Sequence, residues 1–171
     1  MSDQVSDQVG TATRIEAQRS VAASPATIFE IICDPQGQVD IDASGMLMSA
    51  DGDPVRGVGD TYVVHMDREA LGDMPLGTYE VVPEIVGFER DRYLEWKINS
   101  LLDPPFGHTY GYTLEADPEH PERTIVTSFC DWRNMHELYV GKVAMPIVSQ
   151  ASLRASLGIL DRLARRREGA R

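Results

Sequence analysis

Residues 107–115 read Gly-His-Thr-Tyr-Gly-Tyr-Thr-Leu-Glu. His108, Tyr110, Tyr112 and Leu114 fall on every second position, and Thr109, Gly111, Thr113 and Glu115 take the alternate set. Strict alternation predicts a half-buried strand with one face on an interior. Two phenols and an imidazole suit a purely packed core badly, because each buried polar tip needs a partner. An apolar surface with a few hydrogen-bonding tips is how small-molecule cavities are lined. Successive side chains on that face stand roughly 6.5–7 Å apart. At that spacing they can orient a ligand carbonyl or phenol, or supply an acid for enolisation.

Other positions extend the same surface. Tyr62, Val64 and Met66 share a phase that excludes His65, so the histidine is expected to face outward. Leu94, Trp96 and Ile98 alternate with Glu95 and Lys97 as a one-sided strand. Trp96 and Trp132 fall at expected inner-face positions, where an indole can stack on a planar ligand or fill the core. Arg19 is in phase with Ile15, Ala17 and Val21. A guanidinium facing inward must be paired. The expected partners are Asp40, Asp42 or a ligand carboxylate, unless the side chain reaches water from the strand end. Val126, Leu153 and Leu157 complete the expected ligand-binding set. Asp42 and Ser44 precede Gly45 and read as turn residues whose side chains bond nearby backbone.

Several chemistries are not expected. His65, His108, His120 and His136 form no His-x-x-x-His or Glu-x-x-His pair, and Cys33 and Cys130 lie far apart, so no metal site is expected. There is no Gly-x-Ser-x-Gly elbow, phosphate-binding glycine loop or dinucleotide fingerprint, so no cofactor is expected and no catalytic residue is assigned. The chain has 16 Lys+Arg against 27 Asp+Glu, a formal net charge of −11. Nucleic-acid binding through phosphates needs a basic face, so no nucleic-acid partner is expected. No stretch is long and apolar enough to span a membrane, and the acidic, Gln-containing start is unlike a signal peptide. The expectation is a cytoplasmic protein without stable membrane insertion. The excess of arginine over lysine points to a GC-rich genome.

The elements that must position these residues follow from punctuation. At 171 residues the chain suits one domain, over 12–167, preceded by a disordered tail at 1–11 that repeats Ser-Asp-Gln-Val. A first strand is expected over 12–22, and Ser24-Pro25 then starts a helix over 25–33 that Asp34-Pro35 stops. A short irregular or helical stretch runs on to Gly45. Strands are expected near 46–50, 58–66, 77–84, 91–99, 107–116 and 123–132, with breaks that include Arg68–Pro75 and Gly87–Arg90. Residues 133–145 give no clear pattern. A long helix is expected over Pro146–Arg167, with a stripe of Leu153, Leu157, Leu160 and Ala164. At about 1.5 Å per residue it is long enough to cross a whole sheet. The fold class is α+β: a curved antiparallel sheet of about seven strands wrapped around a long C-terminal helix, with two short helices after the first strand.

This order resembles the helix-grip fold of the START-like (SRPBCC), or birch-pollen-allergen-like, superfamily, which includes polyketide cyclase/dehydrase-type proteins and lipid carriers. The matching segments are Arg19–Pro25 leading into Ile28-Phe29, Cys33-Asp34-Pro35, Ile41-Asp42-Ala43-Ser44-Gly45, Gly59-Asp60-Thr61-Tyr62, Leu94-Glu95-Trp96 and Thr127–Trp132. Gln36-Gly37-Gln38-Val39 stands where many relatives show Tyr-Pro-x-Trp. The resemblance implies a cavity between sheet and helix that holds a small hydrophobic or aromatic, lipid- or polyketide-like ligand. Two alternatives remain open: an aromatase/cyclase-type enzyme, and a protein-interaction module with a filled cavity. The module would expose an apolar patch around Leu71–Leu76 or Leu101–Phe106.

Overall fold

Two Pro-containing dipeptides shape the start of the domain. The computed structural model describes residues 12–72, 75–99 and 102–170, so the expected tail at 1–11 lies outside the described residues. Ser24 caps helix α1 (Pro25–Cys33) by accepting from the Thr27 N–H at 3.3 Å, and Pro25 fills the first helical position. Asp34 caps α2 (Pro35–Ile41) in the same way, accepting from the Gln36 N–H at 3.1 Å. The Asp34-Pro35 pair therefore starts a second helix as well as ending the first. Gly37 sits where α2 presses on α1, and a Cβ there would run into the Ile31 carbonyl.

The strands are β1 (Arg14–Val21), β2 (Leu47–Asp51), β3 (Val63–Asp67), β4 (Thr78–Glu89), β5 (Tyr93–Asn99), β6 (Thr109–Ala116) and β7 (Thr124–Asp131). They form one sheet in the order β1-β7-β6-β5-β4-β3-β2, with every neighbouring pair antiparallel. β4 continues through the expected break at Gly87–Arg90. A bulge between Ile85 and Gly87 keeps it in register with β5, so that Phe88 still faces Leu94. His65 faces outward, where its ring nitrogens meet Asp51 at 2.6 Å and Glu80 at 3.1 Å. On the same convex side Phe129 packs over Gly111, and a Cβ on Gly111 would strike that ring and the Leu94 carbonyl. This close approach accounts for a glycine in the middle of β6.

The last helix, α3 (Gln150–Gly169), is capped by Ser149, which accepts from the Ser152 N–H at 3.0 Å. It begins later than Pro146, because residues 133–149 form a series of turns and bends. Its backbone comes nearest to β1, β7, α1 and α2, and its side chains share one buried core with Ile85 of β4, Leu94 of β5 and Leu114 of β6.

A buried carboxylate fixes that placement. Asp161 is fully buried on α3 and accepts from Arg19 Nε at 3.0 Å, Arg19 Nη2 at 2.8 Å, Arg165 Nε at 2.9 Å and the Ala22 N–H at 3.2 Å. Burial alone would raise its pKa. The hydrogen bonds from Arg165, Arg19 and the Ala22 backbone outweigh burial and hold it at about 2. Glu168, one helical stretch further on, accepts from the Ser24 N–H at 2.8 Å and from its hydroxyl at 2.6 Å. The end of α3 is thereby tied to the start of α1.

The arginines around Asp161 are partly exposed, which discounts the pair, but an amide there keeps only one acceptor oxygen and turns an NH2 donor towards the guanidinium groups that the other oxygen now serves. Asp161→Asn is expected to destabilise the fold by about 2 kcal/mol at pH 7, read from the urea unfolding midpoint. A carboxylate whose folded pKa is depressed stabilises above its unfolded pKa, near 3.9. That contribution is lost as pH falls towards about 2. The difference between wild type and variant should therefore shrink over this acid range.

Candidate functional site

The concave face of the sheet is divided along its length. Towards α1 it is solid: Ile85, Leu94, Leu114 and Val126 pack with Leu157, Leu160 and Ala164 of α3 in the buried core. At the other end a cavity of about 440 Å³ remains. The same strands wall it, through Tyr79, Val81 and Pro83 of β4, Trp96 and Ile98 of β5, Tyr110 and Tyr112 of β6 with His108 just before it, and Ser128 of β7. Tyr62, Val64, Met66 and Arg68 line it from the β3 side. Gln38 and Ile41 of α2, with Ser152, Leu153 and Ser156 of α3, close the floor, and Val143, Ile147 and Val148 close it from the turn segment. Leu76 and Leu102 line the cavity and are also exposed, at 48% and 39%. The described part of the expected apolar patch is thus the rim of this cavity, and Leu101 lies outside the described residues.

Of the residues expected to bind ligand, Tyr62, Val64, Met66, Trp96, His108, Tyr110, Tyr112 and Leu153 come together around this space. Leu94, Val126 and Leu157 are almost wholly enclosed in the solid half and do not line it. Trp132 lies past the end of β7, half-buried, its backbone N–H donating to the Thr13 carbonyl at 2.8 Å. Arg19 is away from the cavity as well. It pairs with Asp161 and not with Asp40 or Asp42, because β1 is the edge strand under α3. Asp42 does act as a turn residue, accepting from the Ser44 N–H at 2.9 Å and the Leu47 N–H at 3.1 Å.

Sequence reading missed Arg68, which is 3% exposed and lines the cavity. The signal was there: Arg68 continues the even-numbered phase of Tyr62, Val64 and Met66. Assigning it to a loop break concealed it. Its Nη1 lies 3.6 Å from Met46 Sδ. Ser128 was also missed, because alternation along β7 shows which face is inner and not where packing stops.

The polar tips differ in state. His108 is 4% exposed, and its Nδ1 is enclosed with no hydrogen-bond partner. Its ring stands edge-on to Tyr110 at 5.2 Å between centroids and tilted to Phe106 at 5.8 Å. Burial pushes its pKa down to about 4, so the imidazole is neutral at pH 7. Tyr110 is driven far above the ordinary phenol range by burial and by the Cys130 thiol, with which it shares a hydrogen bond, while the Arg68 charge acts the other way. Burial raises Tyr112 to about 12, opposed by a hydrogen bond from Ser128. Tyr62 is raised in the same way, chiefly by burial. Trp96 lies beside both Tyr110 and Tyr112, at 6.1 and 5.8 Å between centroids. Among the described lining residues the surface offers neutral donors and flat aromatic faces, with two charged groups, Arg68 and Asp42.

No family model and no curated protein matches the sequence. Solved structures do. Ginseng major latex-like protein 151 from Panax ginseng aligns over 88% of this chain and 96% of its own, with a TM-score of 0.61 at 13% identity. An AHSA1-like protein from Aeromonas hydrophila aligns over 91% of this chain and 94% of its own, with a TM-score of 0.56 at 12% identity. This chain has the helix-grip fold of the START-like, birch-pollen-allergen-like proteins. Norcoclaurine synthase from Thalictrum flavum, solved with a transition-state analogue, shares that fold with a TM-score of 0.59 at 16% identity, over 91% of this chain and 95% of its own. At these identities the likeness concerns the helix-grip architecture alone.

His108 gives the cavity a pH signature. Its folded pKa lies below the ordinary value, so it favours the folded state fully above about pH 6.5. That advantage is lost as pH falls towards about 4. Compared with His108→Phe, the wild type is expected to lose on the order of 2–3 kcal/mol more stability between these pH values. Urea melts of both proteins at stepped pH measure the difference, and the comparison cancels the contribution of the other histidines.

Proposed function

We propose that this protein binds a small hydrophobic or aromatic molecule between its sheet and its C-terminal helix. The observation that carries this reading is the divided concave face. Large aliphatic side chains fill one half, while the same strands keep about 440 Å³ open in the other. Small-molecule sites commonly run from about 300 to 1,000 Å³ with a largely apolar lining and a few placed polar groups. Affinity would come mainly from burying the ligand, at about 25 cal/mol per Å² of apolar area. His108, Tyr110 and Tyr112 would set its orientation, with Trp96 as a stacking surface. The resemblance to lipid- and polyketide-handling relatives accords with such a ligand.

We also place the protein in the cytoplasm. Cys33 and Cys130 are free, buried thiols, each pushed by burial up to about 12, which fits a reducing compartment. No helix among the described residues is long and apolar enough to cross a membrane.

One observation favours a second reading, turnover of a poly-keto substrate in the manner of aromatase/cyclase enzymes. His108 is neutral and its Nδ1 unbonded, beside phenols that stay protonated at neutral pH. A phenol can polarise a carbonyl and an imidazole can take up a proton, but a base with so low a pKa works weakly. Binding is therefore the leading reading.

Native mass spectrometry of gently purified protein, against its denatured mass, is expected to show a discrete extra mass. Saturable binding of members of an aromatic, fatty-acyl and polyketide-like panel is expected alongside it. A protein that binds none of the panel and carries no extra mass would overturn the proposal. If His108→Ala or Tyr112→Phe keeps binding but abolishes a turnover seen in wild type, the enzyme reading replaces it.

A further inference from the structure

His108 is a polar side chain in an aromatic setting. It is 4% exposed, lines the cavity, and has Phe106 and Tyr110 as ring neighbours, at 5.8 and 5.2 Å between centroids. Phe106 meets Tyr139 edge-on at 4.6 Å, and the Tyr139 hydroxyl donates to the Pro104 carbonyl at 2.6 Å. The Phe106 carbonyl accepts from the His136 N–H at 2.8 Å. The segment that carries the imidazole into β6 is thus tied to the turns at 136 and 139. The rings pack on the imidazole without meeting its nitrogens: neither Nδ1 nor Nε2 has a hydrogen-bond partner among the described residues. A polar group buried unbonded is costly, and each such exception calls for an explanation. Leu or Phe would pack at this position without that cost.

The two nitrogens differ in access. Nδ1 is sealed off, whereas Nε2 is not among the sealed atoms and belongs to a side chain that lines the cavity. A neutral imidazole carries one N–H and one bare lone pair, and burial keeps this ring neutral at pH 7. An enclosed bare lone pair is better tolerated than an enclosed N–H without an acceptor. The proton therefore sits on Nε2, and the ring presents an uncharged donor to the cavity. A ligand hydroxyl could accept from it, but its own O–H would then need an acceptor, and the Phe106 ring beside His108 supplies none. A carboxylate would exchange its hydration for a single neutral N–H. A carbonyl oxygen only accepts, so that one bond satisfies both groups. The neighbouring wall suits a flat apolar body, with Trp96 at 6.1 Å from Tyr110 and 5.8 Å from Tyr112 between ring centroids.

We infer that the ligand is a neutral, apolar carbonyl compound whose oxygen accepts from the His108 Nε2–H, with its hydrocarbon body along the Trp96 wall. The inference rests on the ligand-cavity reading above and narrows it to a chemical class. It gives His108 the part of a donor to the ligand, so that removing the imidazole costs the carbonyl bond and spares the apolar contacts.

The test compares 2-acetylnaphthalene with 2-isopropenylnaphthalene, in which a methylene group replaces the carbonyl oxygen and the flat shape is kept. Affinities of both probes for the full chain, wild type and His108→Phe, are measured by equilibrium dialysis at pH 7. The ketone-to-alkene affinity ratio is expected to fall at least about tenfold in the variant, a coupling of about 1.4 kcal/mol. Alkene affinity is expected to stay within about threefold, as evidence of an intact cavity. His108→Leu serves the same purpose should the Phe variant not fold. In long-range proton–nitrogen spectra of the wild type, His108 is expected as the Nε2–H tautomer, its Nε2 resonance shifting as the ketone is added. An Nδ1–H tautomer, or an affinity ratio unchanged in the variants, overturns the inference and leaves the ligand-cavity reading standing. Absence of saturable binding by either probe overturns this inference together with the cavity reading on which it rests.

Discussion

The placement of α3 by Asp161 is the constraint on which the rest depends. A carboxylate with almost no exposure is tolerable only when its charge is met, and here two guanidinium groups and a backbone N–H meet it. Those partners come from β1, the β1–α1 junction and α3 itself, so satisfying one charge fixes three segments at once. The Ser24–Glu168 bonds extend the same tie to the helix end. Helix and sheet are thereby clamped at the α1 end.

The clamp allows one half of the fold to be solid and the other hollow. Leu157, Leu160 and Ala164 follow Leu153 along the same helical stripe, yet Leu153 borders the cavity while the others are sealed in the core. The strands show the same change along their length: Leu114 and Leu94 pack, whereas Tyr112, Tyr110 and Trp96 border empty space. Aliphatic side chains interdigitate to crystal-like density. Rings there contact neighbouring rings and the Cys130 and Ser128 side chains along the wall. The solid half thus supplies packing energy that the hollow half gives up.

Electrostatics in the hollow half follow from that arrangement. Burial keeps the tyrosines protonated and His108 neutral, so the aromatic part of the wall presents uncharged donors and acceptors. Arg68 and Asp42 are the charged residues among the described lining, the second committed to the turn through the Ser44 and Leu47 N–H groups.

Much of the architecture was legible from local pattern. Alternation in 107–115 and 93–98 gave inner and outer faces, Ser24-Pro25 and Asp34-Pro35 gave helix boundaries, and the leucine stripe gave α3, because these depend on periodicity and capping within a few residues. The inward set that includes His108, Tyr110, Tyr112 and Trp96 was likewise readable from parity. Parity is silent about depth along a strand. Whether an inward side chain meets α3 or empty space depends on where the helix is clamped, and the partners there, Arg19 and Asp161, are 142 positions apart in sequence. For that reason Leu94, Val126 and Leu157 proved to be core, and Arg19 proved to be a helix anchor. Arg68 emerged at the cavity only once β3, β4 and the turn segments were folded around it. The sequence by itself determined which faces look inward. The tertiary structure decided which part of that interior stays open, because a cavity is the space left over when long-range contacts have been made.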